Sequence, residues 1–276
     1  MSTNPAKKTR EGNPMEQLKA WRTHFETRLN ATTASLREPT LGAVRHAVGS
    51  GKRLRPLMAL ACFEACAGGR DAMGPELIDA AIAVELIHKA SLAQDDLPCM
   101  DADDERDGAS TVHAAFSPSD AVLASDAMIA LAFRLVSRLP EGGRCVEIVS
   151  EAIITMCRGQ AQDLQENKGS KDRRWSETCD AKTGALFVAA ARLGVAASGL
   201  PSESLMDVAQ RLGLAFGRLY QLRDDATDAD TPIDRLGVLA GHAYDDLAWC
   251  VSAFPNSAPA AQLGSLFHRP TRSTTA

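Results

Sequence analysis

Apolar residues recur at three- and four-residue spacing along most of the chain, from Met15 to about Phe254, the period of helices with one buried face. The stretch "MEQLKAWRTHFETRLNATTAS" predicts an amphipathic first helix. Leu205, Val208, Leu212, Ala215, Leu219 and Leu222 predict one stripe on a long helix that climbs towards an acidic segment, "YQLRDDATDAD". The segment "ELIDAAIAVELIHKASLA" is apolar nearly all round, interrupted mainly by Asp79, Glu85 and Lys89, and such a helix belongs inside a bundle. Breaks at "AGGRDAMGP", "FSPS", "LPEGG", "ENKGSKDRR" and "SGLPS" are spaced as helix–helix connections, and none reads as a domain linker. No strand-like alternation is sustained and no repeat of fixed period occurs. The pattern predicts a single all-α domain over 15–253, after a disordered leader at 1–14 and before a loosely ordered tail at 254–276.

Composition narrows this picture. A chain of 276 residues with 45% hydrophobic content can bury a sizeable core, and few aromatics beside abundant alanine and leucine favour helix over strand. A net charge of −5 argues against a nucleic-acid partner, whose basic face would tilt the balance the other way. Seven cysteines with no CxxC pair, among them Cys62 and Cys66 on an apolar helix, suit buried thiols in a reducing compartment. No run approaches the ~18 apolar residues of a membrane span. The polar start "MSTNPAKKTREGNP" has no hydrophobic signal core, so a cytoplasmic protein is expected.

The candidate chemistry lies in two acidic groups at the ends of apolar helices. The first, in "SLAQDDLPCMDADDERDG", contains Asp95, Asp96 and Asp101, followed by Asp103 and Asp104. Pro98 should end or kink the helix just after the pair, so that "LPCM" loops and Asp101 folds back. In the second, Asp224 and Asp228 share one helix face with Asp225 beside them. Hard divalent cations such as Mg²⁺ take oxygen ligands and are commonly held by a few carboxylates plus substrate phosphates. Two such walls facing each other would hold a diphosphate through bridging metals.

A diphosphate also needs fixed positive charge. "GSGKRLRP" supplies Lys52, Arg53 and Arg55 behind a glycine turn, without the spacing of a P-loop. His88 lies seven residues before Asp95, about 20° short of two turns and so on the same face. Lys182 and Thr183, in "DAKTGALFVAAA", open another buried helix.

"GKRLRP", "ELIHKASLAQDDLPCMDADDERDG", "GQAQDL", "AKTGALF" and "YQLRDDATD" occur in the order found in the trans-isoprenyl diphosphate synthases, or polyprenyl synthetases. Within that family the chain is most similar to bacterial and plant-type geranylgeranyl diphosphate synthases, over about residues 40–250. The resemblance implies an isoprenoid-synthase-type helical bundle around a central cavity, assembled as a homodimer. It implies that Asp95, Asp96 and Asp101 with Asp224, Asp225 and Asp228 bind Mg²⁺ and an allylic diphosphate (dimethylallyl, geranyl or farnesyl). It implies that Lys52, Arg55 and His88 grip isopentenyl diphosphate, and that Arg106, Lys182, Thr183 and Gln221 contact the allylic diphosphate or the reacting centre. Gln160 and Asp163 fit the motif between them. Ser91 and Ala90, four and five positions before Asp95, are small and favour a deep cavity and geranylgeranyl diphosphate as product.

The chain also departs from the family pattern. Arg106 is followed by Asp107 where the family has a second arginine that holds isopentenyl diphosphate. Losing one charged hydrogen bond, worth ~1.5–3 kcal/mol, would weaken that substrate ~10–100-fold. No lysine follows Lys182, so the family's lysine-bearing stretch after the second motif is missing unless Arg223 or Arg235 substitutes. Tyr220 stands where phenylalanine is usual, and Gln94 and Arg223 flank the aspartates. These departures motivate a second reading, a catalytically impaired member acting as a modulating subunit. A third, a class I terpene cyclase, lacks its NDxxSxxxE-type metal motif and leaves "GKRLRP" with no second substrate to hold.

Overall fold

The apolar run after Gly74 forms the central helix, α4 (Pro75–Asp95), with thirteen of its 21 residues buried. Gly74 enters in an extended conformation, Pro75 supplies a preset first helical residue, and Glu76 complements the N-terminal dipole. A computed structural model describes residues 14–66, 74–166, 177, 179–227, 233–256 and 258–259, with side chains over 18–66, 74–164, 177, 179–223, 240–256 and 258–259. The expected leader falls almost wholly outside these residues, as does most of the expected tail.

Around α4 the chain is all-α. Helices α1 (Pro14–Thr33), α2 (Thr40–Val48) and α3 (Leu54–Cys66) precede it. A short hairpin, β1 (Glu105–Arg106) and β2 (Ala109–Ser110), leads into α5 (Val112–Ala115), α6 (Pro118–Val136) and α7 (Gly142–Glu166). A π-helical turn (Asp180–Gly184) opens α8 (Ala185–Ala197), followed by α9 (Glu203–Thr227) and α10 (Ile233–Ala253). α4 packs on α3, α6 and α8; α8 packs on α3 and α9, and α9 on α10. The stripe predicted on α9 is the buried one: Val208, Leu212, Ala215, Leu219 and Leu222 are interior, with Leu205 at the margin. Cys62 and Cys66 are buried as expected, and burial pushes the Cys66 thiol up to about 11.

The hairpin was not predicted, although "ERDGAS" carries its signal. Asp107 and Gly108 both have positive φ (52° and 78°) between the paired residues Arg106 and Ala109. A two-residue turn of this kind favours Asp-Gly.

Candidate active site

α4 ends where Pro98 forbids it to continue. Pro98 has no N–H to offer Gln94, and the turn closes one residue earlier through Leu97 N–H to the Gln94 carbonyl (3.2 Å). The chain then folds back as expected. Asp101 N–H donates to the Asp95 carbonyl (2.9 Å), and Asp103 N–H to the Asp96 carbonyl (3.2 Å). Ala102, at φ 58°, makes the reversal. Asp95 and Asp101 are thereby held beside each other by their own backbone.

The three carboxylates of this first group differ. Burial pushes Asp95 up to about 6, with Asp101 and Asp96 adding repulsion and the Lys182 and Arg106 cations opposing it. Asp96 is buried and accepts from Arg106 through Nε (2.8 Å) and Nη2 (2.5 Å), both on Oδ1. Arg106 also reaches Asp103 (3.4 Å). Asp101 is exposed and accepts from Gln160 Nε2 (3.4 Å).

On the facing side, Lys182 bonds Asp163 of α7 (2.6 Å) and acts electrostatically on Asp95. Its approach depends on Gly159 of "GQAQDL": a Cβ there would stand 2.7 Å from the Lys182 backbone nitrogen, so α7 and the π-turn could not meet so closely. Thr183 donates to Gln221 Oε1 on α9 (3.0 Å). That bond sets the last turns of α9 beside the turn that carries Lys182. Asp224 and Asp225 lie in α9's final turn, and their side chains fall outside the described residues, as does the whole of Asp228.

Between these groups opens a cavity of about 270 Å³. Asp95, Gln160 and Lys182 line its polar end, while Ile87, Ile129, Ile153 and Met156 line the rest. Ser91 lines it as the sequence suggests. Ala90 turns elsewhere: it is fully buried, and its carbonyl accepts from Ser125 of α6 (3.1 Å). The depth-setting walls on α6 and α7 carried no signal in the sequence beyond ordinary apolar periodicity.

The basic motif divides. Arg53 is buried and used inside the protein: it donates to Glu26 (2.9 and 3.1 Å), to Glu85 (2.7 Å) and to the Val48 and Ser50 carbonyls (2.7 and 3.0 Å). Its guanidinium is thus engaged inside the protein, which sets it apart from Lys52 and Arg55 in the same basic motif. Lys52 is exposed. Arg55 donates through Nη1 to His88 Nε2 (3.1 Å) and lies 4.6 Å from the centre of the Phe187 ring. Because the guanidinium only donates, Nε2 accepts and the His88 proton sits on Nδ1. Burial, with Arg55, Lys89, Arg106 and Arg53 adding to it, holds His88 well below the usual histidine range and so neutral at pH 7. Phe187, in the quoted "GALF", and Tyr220, 5.9 Å from it, form the aromatic flank of Arg55 that the sequence reading did not assign.

The residues present fit a hard divalent cation. Among the described residues no three ligating side chains are gathered into a cluster. However, Asp95 and Asp101 repel each other, and among the described residues Asp95 closes no ion pair and Gln160 Oε1 is buried without a hydrogen-bond partner. Two neighbouring carboxylates that repel each other and an orphan acceptor are what a hydrated, oxygen-liganded cation offsets.

A helical bundle of this kind is found in enzymes that build prenyl chains. The chain superposes on a geranyltransferase from Legionella pneumophila with a TM-score of 0.79, at 28% identity and over 91% of this chain and 95% of that one. A geranyltranstransferase from Thermotoga maritima gives 0.78 at 27% identity, over 90% and 96%. Residues 38–244 match the polyprenyl synthetase family, and the chain belongs to it. It is 36% identical over 191 residues to a geranylgeranyl diphosphate synthase of Cereibacter sphaeroides, covering 66% of this chain and 63% of that one. Identity is also 36% over 222 residues to the chloroplastic geranylgeranyl pyrophosphate synthase 3 of Arabidopsis thaliana, covering 75% and 60%. The matched region thus spans about three fifths of these curated relatives' length. Among the described residues no helix is long and apolar enough to cross a membrane.

Proposed function

We propose that this protein is a prenyltransferase that joins isopentenyl diphosphate to an allylic diphosphate and releases geranylgeranyl diphosphate. The observation that carries this reading is the apolar cavity beneath Asp95, Gln160 and Lys182, beside a separate cationic group of Arg55 and neutral His88. One substrate has a tail to bury and a diphosphate to ionise, and the other has a diphosphate to be gripped. The relatives' names agree with it.

Asp95, Asp96 and Asp101, together with Asp224, Asp225 and Asp228, would hold Mg²⁺, which would supply the charge neutralisation that makes diphosphate a leaving group. Lys182 adds a fixed cation to the same oxygens, and Thr183 and Gln221 orient the turn that carries it. Arg106 holds Asp96 in place and extends the positive rim. Lys52, Arg55 and the Nδ1–H of His88 bind the diphosphate of isopentenyl diphosphate, whose double bond attacks the allylic carbon as its C–O bond breaks. The new cation loses a proton to the departed diphosphate, the nearest base. Ile87, Ile129, Ile153 and Met156 keep water away from the cation meanwhile. Homodimer assembly is supported by exposed apolar side chains around the start of α6, Phe116, Val122 and Leu123. Seven free cysteines support a reducing, cytoplasmic setting.

The test is an assay of the purified full chain with Mg²⁺, isopentenyl diphosphate and dimethylallyl, geranyl or farnesyl diphosphate in turn, followed by product sizing. Geranylgeranyl diphosphate as the end product is expected. Asp107 favours one other reading, a modulating subunit. It takes over if the chain alone is inert yet alters the product length of an intact synthase. A cyclic hydrocarbon from a single allylic substrate overturns both.

A further inference from the structure

Between Glu76 and Asp95 at its two ends, α4 carries three charged residues, and two of them have partners. Asp79 accepts from Arg28 of α1 (3.3 Å), and Glu85 accepts from Arg53 (2.7 Å). Lys89 does not. Its side chain is drawn in until the residue is only 9% exposed, and no hydrogen bond or ion pair forms at its ammonium among the described residues. Glu85, one turn earlier, is its foremost electrostatic partner without reaching it. Burial of most of this side chain desolvates its cation in part, a penalty that an anion would offset.

The surroundings say which anion. Lys89 lines a pocket of about 90 Å³ between α4, the loop after α2 and the hairpin, together with Ser50, Asp96, Arg106, Asp107 and Ser110. Asp96 is already engaged by Arg106, so Asp107 is the pocket carboxylate left to act on Lys89. Gly51, at φ +140°, fixes the other wall: a Cβ there would stand 3.2 Å from Lys89 Nζ and 3.3 Å from Arg53 Nη1. The loop backbone therefore lies against the ammonium. His88, the residue before Lys89 on α4, feels the charge of that ammonium. Arg53 and Arg55 both act on Lys89 electrostatically. The ammonium is thus within electrostatic reach of Arg55 and His88, two of the groups assigned to isopentenyl diphosphate, and shares its pocket with Asp107, which stands in place of the family's second arginine.

We propose that Lys89 binds the diphosphate of isopentenyl diphosphate and supplies the charged contact that Asp107 cannot. Asp107 balances Lys89 electrostatically in the free protein and opposes the incoming diphosphate. This rests on the prenyltransferase reading above, and the experiment separates the two.

Steady-state kinetics of the full chain with Mg²⁺ and geranyl or farnesyl diphosphate are compared for wild type, Lys89→Met, Lys89→Arg and Asp107→Asn. Lys89→Met keeps the apolar stem; it is expected to raise KM for isopentenyl diphosphate about 10–100-fold, the effect of one charged hydrogen bond, and to leave KM for the allylic substrate unchanged. Lys89→Arg should retain most of the affinity. Asp107→Asn keeps an Asn-Gly turn and removes the charge, and should lower KM for isopentenyl diphosphate. A purely structural lysine would shift Tm and both KM values together; that pattern, or an unchanged KM for isopentenyl diphosphate in Lys89→Met, overturns the assignment while leaving the enzyme reading intact. If wild type makes no elongated product, calorimetry with isopentenyl diphosphate decides. Binding that Lys89→Met weakens supports the lysine's role although the condensation fails, whereas equal binding or none overturns it.

Discussion

Arg53 and Arg55 stand two positions apart in one basic motif, and nothing in their residue type separates them. What separates them is backbone conformation. Arg53 sits at φ 57° and its side chain points inward, where Glu26, Glu85 and two carbonyls use all three nitrogens. Removing one partner of a buried pair leaves an uncompensated charge, which costs about 3–5 kcal/mol. Arg53→Met is therefore expected to lower unfolding free energy by about that amount in urea titrations, and Arg53→Met with Glu85→Leu to recover most of it. Arg55→Met is expected instead to raise KM for isopentenyl diphosphate with little change in stability, because Arg55 meets a histidine and an aromatic face rather than a carboxylate. Lys89 repeats the lesson: along the sequence it is only an interruption in an apolar run, and its significance comes from what fails to meet it in space.

At the scale of elements, the sites follow from where helices stop and how closely they approach. Pro98 and the backbone bonds of the returning loop gather Asp95 and Asp101, and that much was legible in "DDLPCMD". The cavity walls were less legible. A position count back from Asp95 names Ser91 and Ala90 together, but successive helical residues point about 100° apart, so Ser91 lines the cavity while Ala90, outside that lining, is fully buried in the core. The remaining wall comes from Ile129, Ile153 and Met156, on helices whose register against α4 depends on tertiary packing. Product length should obey the wall. Ser91→Phe is expected to shift the main product one isoprene unit shorter, and Met156→Ala to allow one unit more, both read by product sizing. Ala90→Phe should instead disrupt α4–α6 packing, because overfilling a tight core costs about 1–3 kcal/mol or more. Its signature is a lower Tm rather than a clean change of product.

For the whole molecule, helical periodicity, polar breaks and five ordered motifs were enough to read the fold and its family, because each is a local property of the chain. The second acidic group was equally plain in "YQLRDDATD", yet its side chains lie outside the described residues, so the opposition of two carboxylate walls has to be tested in solution. Asp95 provides the means. Burial raises its carboxyl from 3.8 to about 6, so the folded state holds a proton there that the unfolded chain has released. Its contribution to folding is accordingly neutral below the lower value, grows unfavourable as pH rises between the two, and stays unfavourable above the upper one. A cation bound to the ionised carboxylate removes that penalty, and at a hundredfold excess over Kd it stabilises the fold by about 2.7 kcal/mol, or some ~5–10 °C in Tm for a chain of this size. Near pH 7.5 saturating Mg²⁺ should give a gain of that order. Near pH 5, where Asp95 keeps its proton and competes with the metal, the gain should shrink at the same Mg²⁺ concentration. Asp95→Asn should abolish most of the difference between the two pH values. A gain independent of pH in wild type, or one that Asp95→Asn leaves unchanged, would show that the metal binds elsewhere and that the end of α4 is not its site.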